Sequence, residues 1–210
     1  MLKKVFTIIL CITFYSVLSQ KKEYFLNDDF NHITETEFTK EDDNSLGYNL
    51  RFETDTCFYN VKVLRHKKGK ISLRLLDSIK TDLSSASKQE IKPDDILLIN
   101  YYPGNTPCSS IGYMTNFKKQ HGIYFNKIEK IKNVKQFFIY KTTDNLENFG
   151  SKINWLLDKN RLIENTFYPI TYPCGGYVII DSNGNYISKR GEYCYSPLFI
   201  KELKNFINYE

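Results

Sequence analysis

Histidine is scarce in this 210-residue chain: there are three, His32, His66 and His121. Each stands alone, and no cysteine or second histidine lies at a spacing that closes a zinc site. No metal and no cofactor is therefore expected. There is no C-x-x-C pair and, beyond the N-terminus, no N-x-S/T sequon. Nor is there a second long apolar run, so no membrane span is expected past the leader described below. Gly175-Gly176 is too short to cradle a phosphate. Asp181-Ser182-Asn183-Gly184-Asn185 lacks the further ligands of a calcium loop and reads as a turn. Charge of one sign is missing as well. The formal net charge is +5, and Lys3 and Lys4 supply two of those charges. The rest is spread between an acidic stretch, 28–43, and a basic one, 65–74, so nucleic acid is not an expected partner.

What is present begins with a leader. Lys3 and Lys4 give a positive start, Val5–Val17 an apolar stretch, and Val17 and Ser19 the small residues of a cleavage site before Gln20. Residues 1–19 are therefore expected to be a signal peptide, and the remainder a secreted or periplasmic protein without a membrane span. Cys11 lies inside the apolar stretch. The other four cysteines, Cys57, Cys108, Cys174 and Cys194, are an even number for an oxidising compartment, with three pairings open.

Two parts follow the leader. Residues 20–90 are expected to form a small, partly β extension. In it Val61 and Val63 alternate with Lys62, and Ile71, Leu73 and Leu75 with Ser72 and Arg74. His66-Lys67-Lys68-Gly69 is the expected turn between them. Ser84–Lys88 reads as a connecting loop. Residues 91–210 are better patterned. Ile96–Tyr101 is a short apolar run, as in a strand buried on both faces. Pro103–Pro107 breaks it, and a helix is expected from about Cys108. Gln136–Tyr140 is the next strand. Asp144–Glu147 reads as a capping box opening a helix that turns Leu146, Phe149, Ile153 and Leu156 inward. Tyr177–Asp181 and Asn185–Lys189 are strands joined at Asn183-Gly184. Ser196 and Pro197 open a last helix. The first two strands, joined through a helix, are expected to be parallel and the last two antiparallel. The expectation is an α/β domain with a four-stranded mixed sheet flanked by helices.

That order resembles the core of the thioredoxin-like superfamily over residues 91–210. Leu97–Tyr102 is similar to the strand leading to the active site of periplasmic thioredoxin-like reductases. Asn105-Thr106-Pro107-Cys108 lies where their C-x-x-C stands, and Tyr177–Gly184 is similar to their late strand and hairpin. Tyr101-Tyr102-Pro103 with Thr106-Pro107-Cys108 also resembles the active loop of peroxiredoxins. Asn105 replaces the first cysteine of the pair, and Gly175 occupies the place of the family's cis-proline, with Pro173 two residues earlier. The resemblance implies a thioredoxin-like fold. It places catalytic thiols at Cys108 and Cys174, with Asn105, Thr106, Pro107, Pro173 and Gly175 around them. Thiol- or disulfide-bearing envelope proteins are the implied partners.

The cysteines admit two pictures. Counting outward from the Asn183-Gly184 turn puts Cys174 opposite Tyr193, beside Cys194, so those two can form a structural staple. Cys57 and Cys108 are then paired or free. In the resembled fold, however, the loop before the third strand packs on the active-site turn, which implies Cys108 and Cys174 as a redox couple. At the start of a helix Cys108 is read either as an activated thiol or as a half-cystine. Three functions follow. One is a divergent thiol–disulfide oxidoreductase. Another is a non-catalytic thioredoxin-fold binding module. The third is a degenerate thiol peroxidase.

Overall fold

A computed structural model of the chain describes residues 21–40, 46–105, 125–149, 151, 153–191 and 197–207, the side chains of 148 and 197–199 excepted. The leader, Thr106, Pro107, Cys108 with the helix expected after it, Cys194 and Ser196 lie outside the described residues. The chain divides into two compact units, one through Leu64 and one from Arg65.

The first unit is a three-stranded sheet, β1 (Lys22–Leu26), β2 (Gly47–Glu53) and β3 (Cys57–Leu64), in the order β1-β3-β2. β1 runs parallel to β3, and β2 antiparallel to it. Between β1 and β2 lies the one-turn helix α1 (Glu35–Thr39). Thr34 and Glu37 close a reciprocal capping box at its start, satisfying two otherwise orphaned N–H groups. Val61 and Val63 are buried on one face of β3.

The hairpin expected from Val61 to Leu75 does not form. β3 instead pairs with β1 and β2. The supposed turn is itself a strand, β4 (His66–Lys70), antiparallel to the strand Asn185–Arg190 of the second unit. The supposed return strand is helical: α2 (Leu73–Ser87) runs through the Ser-rich stretch taken for a loop. Ser72 caps it, its Oγ accepting from the Leu75 N–H at 3.2 Å. Leu76, Ile79 and Leu83 are buried, a helical spacing, whereas Leu73 is 59% exposed. Lys88, at φ +58, ends the helix.

The second unit holds a six-stranded sheet, not the four-stranded one expected. Its further strands are β5 (Ile96–Tyr102), β6 (Val134–Tyr140), β7 (Trp155–Leu157), β8 (Gly176–Ile180) and β9 (Asn185–Arg190), in the order β4-β9-β8-β5-β6-β7. The four central strands do have the expected directions. β5 and β6 are parallel, and β8 is antiparallel to both β5 and β9. Leu97, Leu98, Ile99, Val178, Ile179 and Ile180 are fully buried, so the two middle strands are covered on both faces.

The helix expected after Asp144 is a single 3₁₀ turn, Leu146–Phe149. Asn145 ahead of it is left-handed, at φ +60. The chain then extends into β7, parallel to β6. Ile153 and Leu156 are buried as expected, but from an edge strand and its approach. A short helix, α3 (Leu162–Phe167), follows, and α4 (Pro197–Ile207) ends the described chain. The β8–β9 register pairs Ile180 with Tyr186, and the Asp181 N–H donates to the Asn185 carbonyl at 3.0 Å. The turn thus has three residues, with Gly184 at φ +82. That is one residue longer than the Asn183-Gly184 reading, so the counting that set Cys174 opposite Tyr193 is one residue out.

Candidate functional site

β5 delivers the chain to one end of the sheet. Its apolar run is stopped by Pro103, whose ring cannot donate to a ladder, and Gly104 turns the chain at φ +112. A Cβ on Gly104 would lie 2.4 Å from Thr142 Oγ1, so the turn presses on the segment leaving β6. Three hydrogen bonds tie these segments. The Lys141 N–H donates to the Tyr102 carbonyl (2.9 Å), Tyr102 Oη to the Asp144 carbonyl (2.7 Å), and Asn145 Nδ2 to Asn105 Oδ1 (3.1 Å). Asn105 is thereby held at the rim.

The loop before β8 arrives at the same end. Gly176 pairs with Tyr101 on one side and Arg190 on the other. Immediately before it Cys174 and Gly175 are both left-handed, at φ +64 and +75. A Cβ at Gly175 would stand 2.2 Å from the Tyr101 carbonyl oxygen and 3.0 Å from Pro103 Cδ. Only glycine lets this loop lie against the end of β5. Pro173 precedes it with a trans peptide. Of the residues singled out from the sequence, Asn105, Pro173, Cys174 and Gly175 thus share the end of the sheet where β5 stops.

Cys174 is disulfide-bonded, and its partner lies outside the described residues. Cys57 is a free thiol, buried in the first unit. This corrects its candidacy for a disulfide with Cys108. Its sulfur is 3.0 Å from Thr54 Oγ1, and that hydrogen bond holds the thiol below its ordinary range. Among the described residues no cluster of His, Cys, Asp and Glu could hold a metal ion, and no helix is long and apolar enough to cross a membrane.

Beneath the loop lies a layer that the sequence reading missed. Tyr101 and Tyr168 are stacked, centroids 4.4 Å apart and planes within 6°. Tyr172 meets Tyr168 edge-on. Arg190, buried at the end of β9, lies 5.3 Å over the Tyr172 ring and donates from Nη1 to its hydroxyl at 3.1 Å. The sequence offers no sign of it, because Arg190 ends an alternating strand where a solvated cation is the ordinary choice. Burial, with help from Glu164 and Asp158, holds the Tyr101 phenol far above its usual range.

Glu164 of α3 is buried and accepts from Lys141 Nζ (2.7 Å) and from Arg161 Nε and Nη2 (3.0 Å each). Arg161 first, then Lys141, hold its carboxyl below the usual range against the opposing effect of burial. Asp158 caps the same helix, accepting from the Glu164 N–H at 2.8 Å. Burial pushes its carboxyl upward, partly offset by those backbone bonds. The two acids act in opposite senses on acid stability. Glu164, depressed in the folded state, stabilises above the unfolded carboxylate range, and that stability is lost as pH falls through its folded value. Asp158, raised, favours the fold below the unfolded range and ceases to as pH rises through its own. Glu164→Gln is expected to cost about 1.5–3 kcal/mol at neutral pH, the worth of a hydrogen bond to a charged group. It should also flatten the fall in stability between neutral and acid pH, as read by urea unfolding across that range.

No family model matches the chain, and no curated protein matches it. Among solved structures, the thioredoxin domain of a thiol-disulfide oxidoreductase from Bacteroides vulgatus is similar over 54% of this chain and 80% of its own, at 13% identity and a TM-score of 0.32.

Proposed function

We infer that the second unit is a divergent thioredoxin-like module working in thiol–disulfide exchange outside the cytosol. Cys174 and Cys108 are its exchanging pair. The observation that supports this most is the seat of the Cys174–Gly175 loop on Tyr101 and Pro103. It puts a disulfide-bonded cysteine at the strand end from which the chain runs on to Cys108.

The chemistry balances as follows. A substrate thiolate attacks one sulfur of the Cys108–Cys174 disulfide, forming a mixed disulfide and expelling the other sulfur as a thiolate, which takes up a proton. A second thiolate of the substrate attacks the mixed disulfide. The substrate leaves oxidised and the protein holds two thiols, so two electrons have passed from substrate to protein. The reverse sequence reduces a substrate disulfide. Asn105, where the resembled family has a cysteine, cannot take either role, so the pair must be built across the fold.

The test is exchange with a model disulfide such as insulin, using protein first reduced by dithiothreitol. The expected result is activity that Cys108→Ser and Cys174→Ser each abolish and Cys194→Ser leaves in place. Inert protein, with Cys174 bonded to Cys194, would instead make the module a non-catalytic binding domain. That second reading rests on the Gly191 N–H bond to the Gly175 carbonyl, 2.9 Å, which holds the residue just past β9 beside the Cys174 loop.

A further inference from the structure

The six-stranded sheet ends in β4, and the chain there is basic throughout. Arg65-His66-Lys67-Lys68-Gly69-Lys70 contains four permanent cations and no acid. His66, Lys68 and Lys70 are exposed. Lys189 of β9 stands opposite His66. The acid nearest His66 is Glu202, which is already bound by His66 Nδ1 at 3.1 Å and by the Tyr177 hydroxyl. Lys68 and Lys70 make no ion pair among the described residues.

Backbone register decides which groups of β4 are in use. The Arg190 N–H donates to the Arg65 carbonyl at one end (2.8 Å), and the Ile71 N–H to the Gly184 carbonyl at the other (2.9 Å). Antiparallel pairs alternate between bonded and non-bonded. Arg65, Lys67, Gly69 and Ile71 therefore turn their backbone groups toward β9. His66, Lys68 and Lys70 turn theirs outward, and among the described residues no strand pairs with that side. The sheet's other edge, β7, is three residues long and offers much less.

Lysine on an edge strand also serves to block pairing between identical edges. Here that argument sharpens the identity of the partner. A second copy of β4 would set lysine against lysine, which is destabilising, whereas a strand of carboxylates would set opposite charges directly across from one another. We propose that β4 is a docking edge for an acidic, extended segment of a partner polypeptide, which adds to the sheet as a further strand. Its carboxylates pair with Lys68 and Lys70 on one face of the sheet, while its backbone bonds to the outward groups of His66, Lys68 and Lys70.

The experiment is a titration of the mature chain with a short peptide of alternating Glu and Thr, read by residue-resolved amide hydrogen exchange. Exchange at His66, Lys68 and Lys70 should slow on binding, while Lys67 and Gly69, already bonded to β9, stay unchanged. The Lys68→Glu/Lys70→Glu variant should weaken binding about tenfold or more. Should that variant unfold, Lys68→Gln/Lys70→Gln removes attraction without adding repulsion and should weaken binding by a smaller factor. A peptide of the same sequence whose glutamates carry N-methylated backbone amides should not bind, because the residues opposite His66, Lys68 and Lys70 then have no N–H to donate to the ladder. Absence of binding overturns the proposal. So does equal binding of the N-methylated peptide without slowed exchange, which would reduce the edge to a non-specific cationic surface.

Discussion

Alanine in place of Gly175 is expected to destabilise the second unit by about 3 kcal/mol. Two independent effects add. The residue sits at φ +75, where a Cβ is strained. That Cβ would also meet a backbone oxygen, of Tyr101, at 2.2 Å, and a carbonyl in the middle of a sheet cannot swing aside as a side chain can. The loop would have to lift off the end of β5 and carry Cys174 with it. Urea unfolding should show a lower midpoint at unchanged slope, and the Cys174 disulfide should become easier to reduce. An alanine variant within about 0.5 kcal/mol of the parent, the range of a neutral surface change, would mean that the loop is not seated where it is described.

Reduction of the Cys174 disulfide is expected to cost about 2–5 kcal/mol. In the chain-entropy picture the long loop of the proposed Cys108–Cys174 bond would constrain the unfolded chain more than a Cys174–Cys194 loop, by about 1 kcal/mol. Cys108→Ser and Cys174→Ser should therefore lower stability alike in oxidised protein, and adding reductant to either should change little further. Cys57→Ser should leave the reductant dependence intact, because that thiol is free. Equal losses in Cys174→Ser and Cys194→Ser, with Cys108→Ser silent, would assign the bond to the β8–β9 hairpin.

The central strands were legible because they are short, nearly unbroken apolar runs bounded by Pro, Gly and Asn. β5, β6, β8 and β9 fall where the pattern puts them, in the expected directions. The segment from Ile71 was not. Ile71-Ser72-Leu73-Arg74-Leu75 alternates like a strand, yet the wider spacing of Leu76, Ile79 and Leu83 and the Ser72 cap belong to a helix. A five-residue alternation is too short to outweigh a four-turn amphipathic stripe. β4 escaped notice for a different reason. His66–Lys70 has no apolar residue to mark it, and it is a strand because β9 offers a free edge, a tertiary cause that no local pattern contains. β7 shows the converse, since Trp155-Leu156-Leu157 fits the end of a helix or an edge strand equally well by periodicity.

The candidate site divides in the same way. Cys174 and Gly175 could be picked out because cysteine and glycine carry their chemistry with them. Their place beside the end of β5 was implied by the resembled fold, in which the loop before the third strand packs on the active-site turn, whereas the individual contacts with Tyr101 and Pro103 were not legible. Arg190, Tyr168, Tyr172 and the Glu164 group could not be picked out, because their burial is set by packing between elements far apart in the chain. Tyrosines and charged residues on strand ends and short helices are ordinarily solvated.

Proteolysis of the oxidised, mature chain under acid conditions, followed by mass mapping of the linked peptides, addresses the proposed exchange pair most directly. Its expected product joins the peptide holding Cys108 to the one holding Cys174 and leaves Cys57 as a thiol. A peptide joining Cys174 to Cys194, with Cys108 recovered as a free thiol, would contradict it.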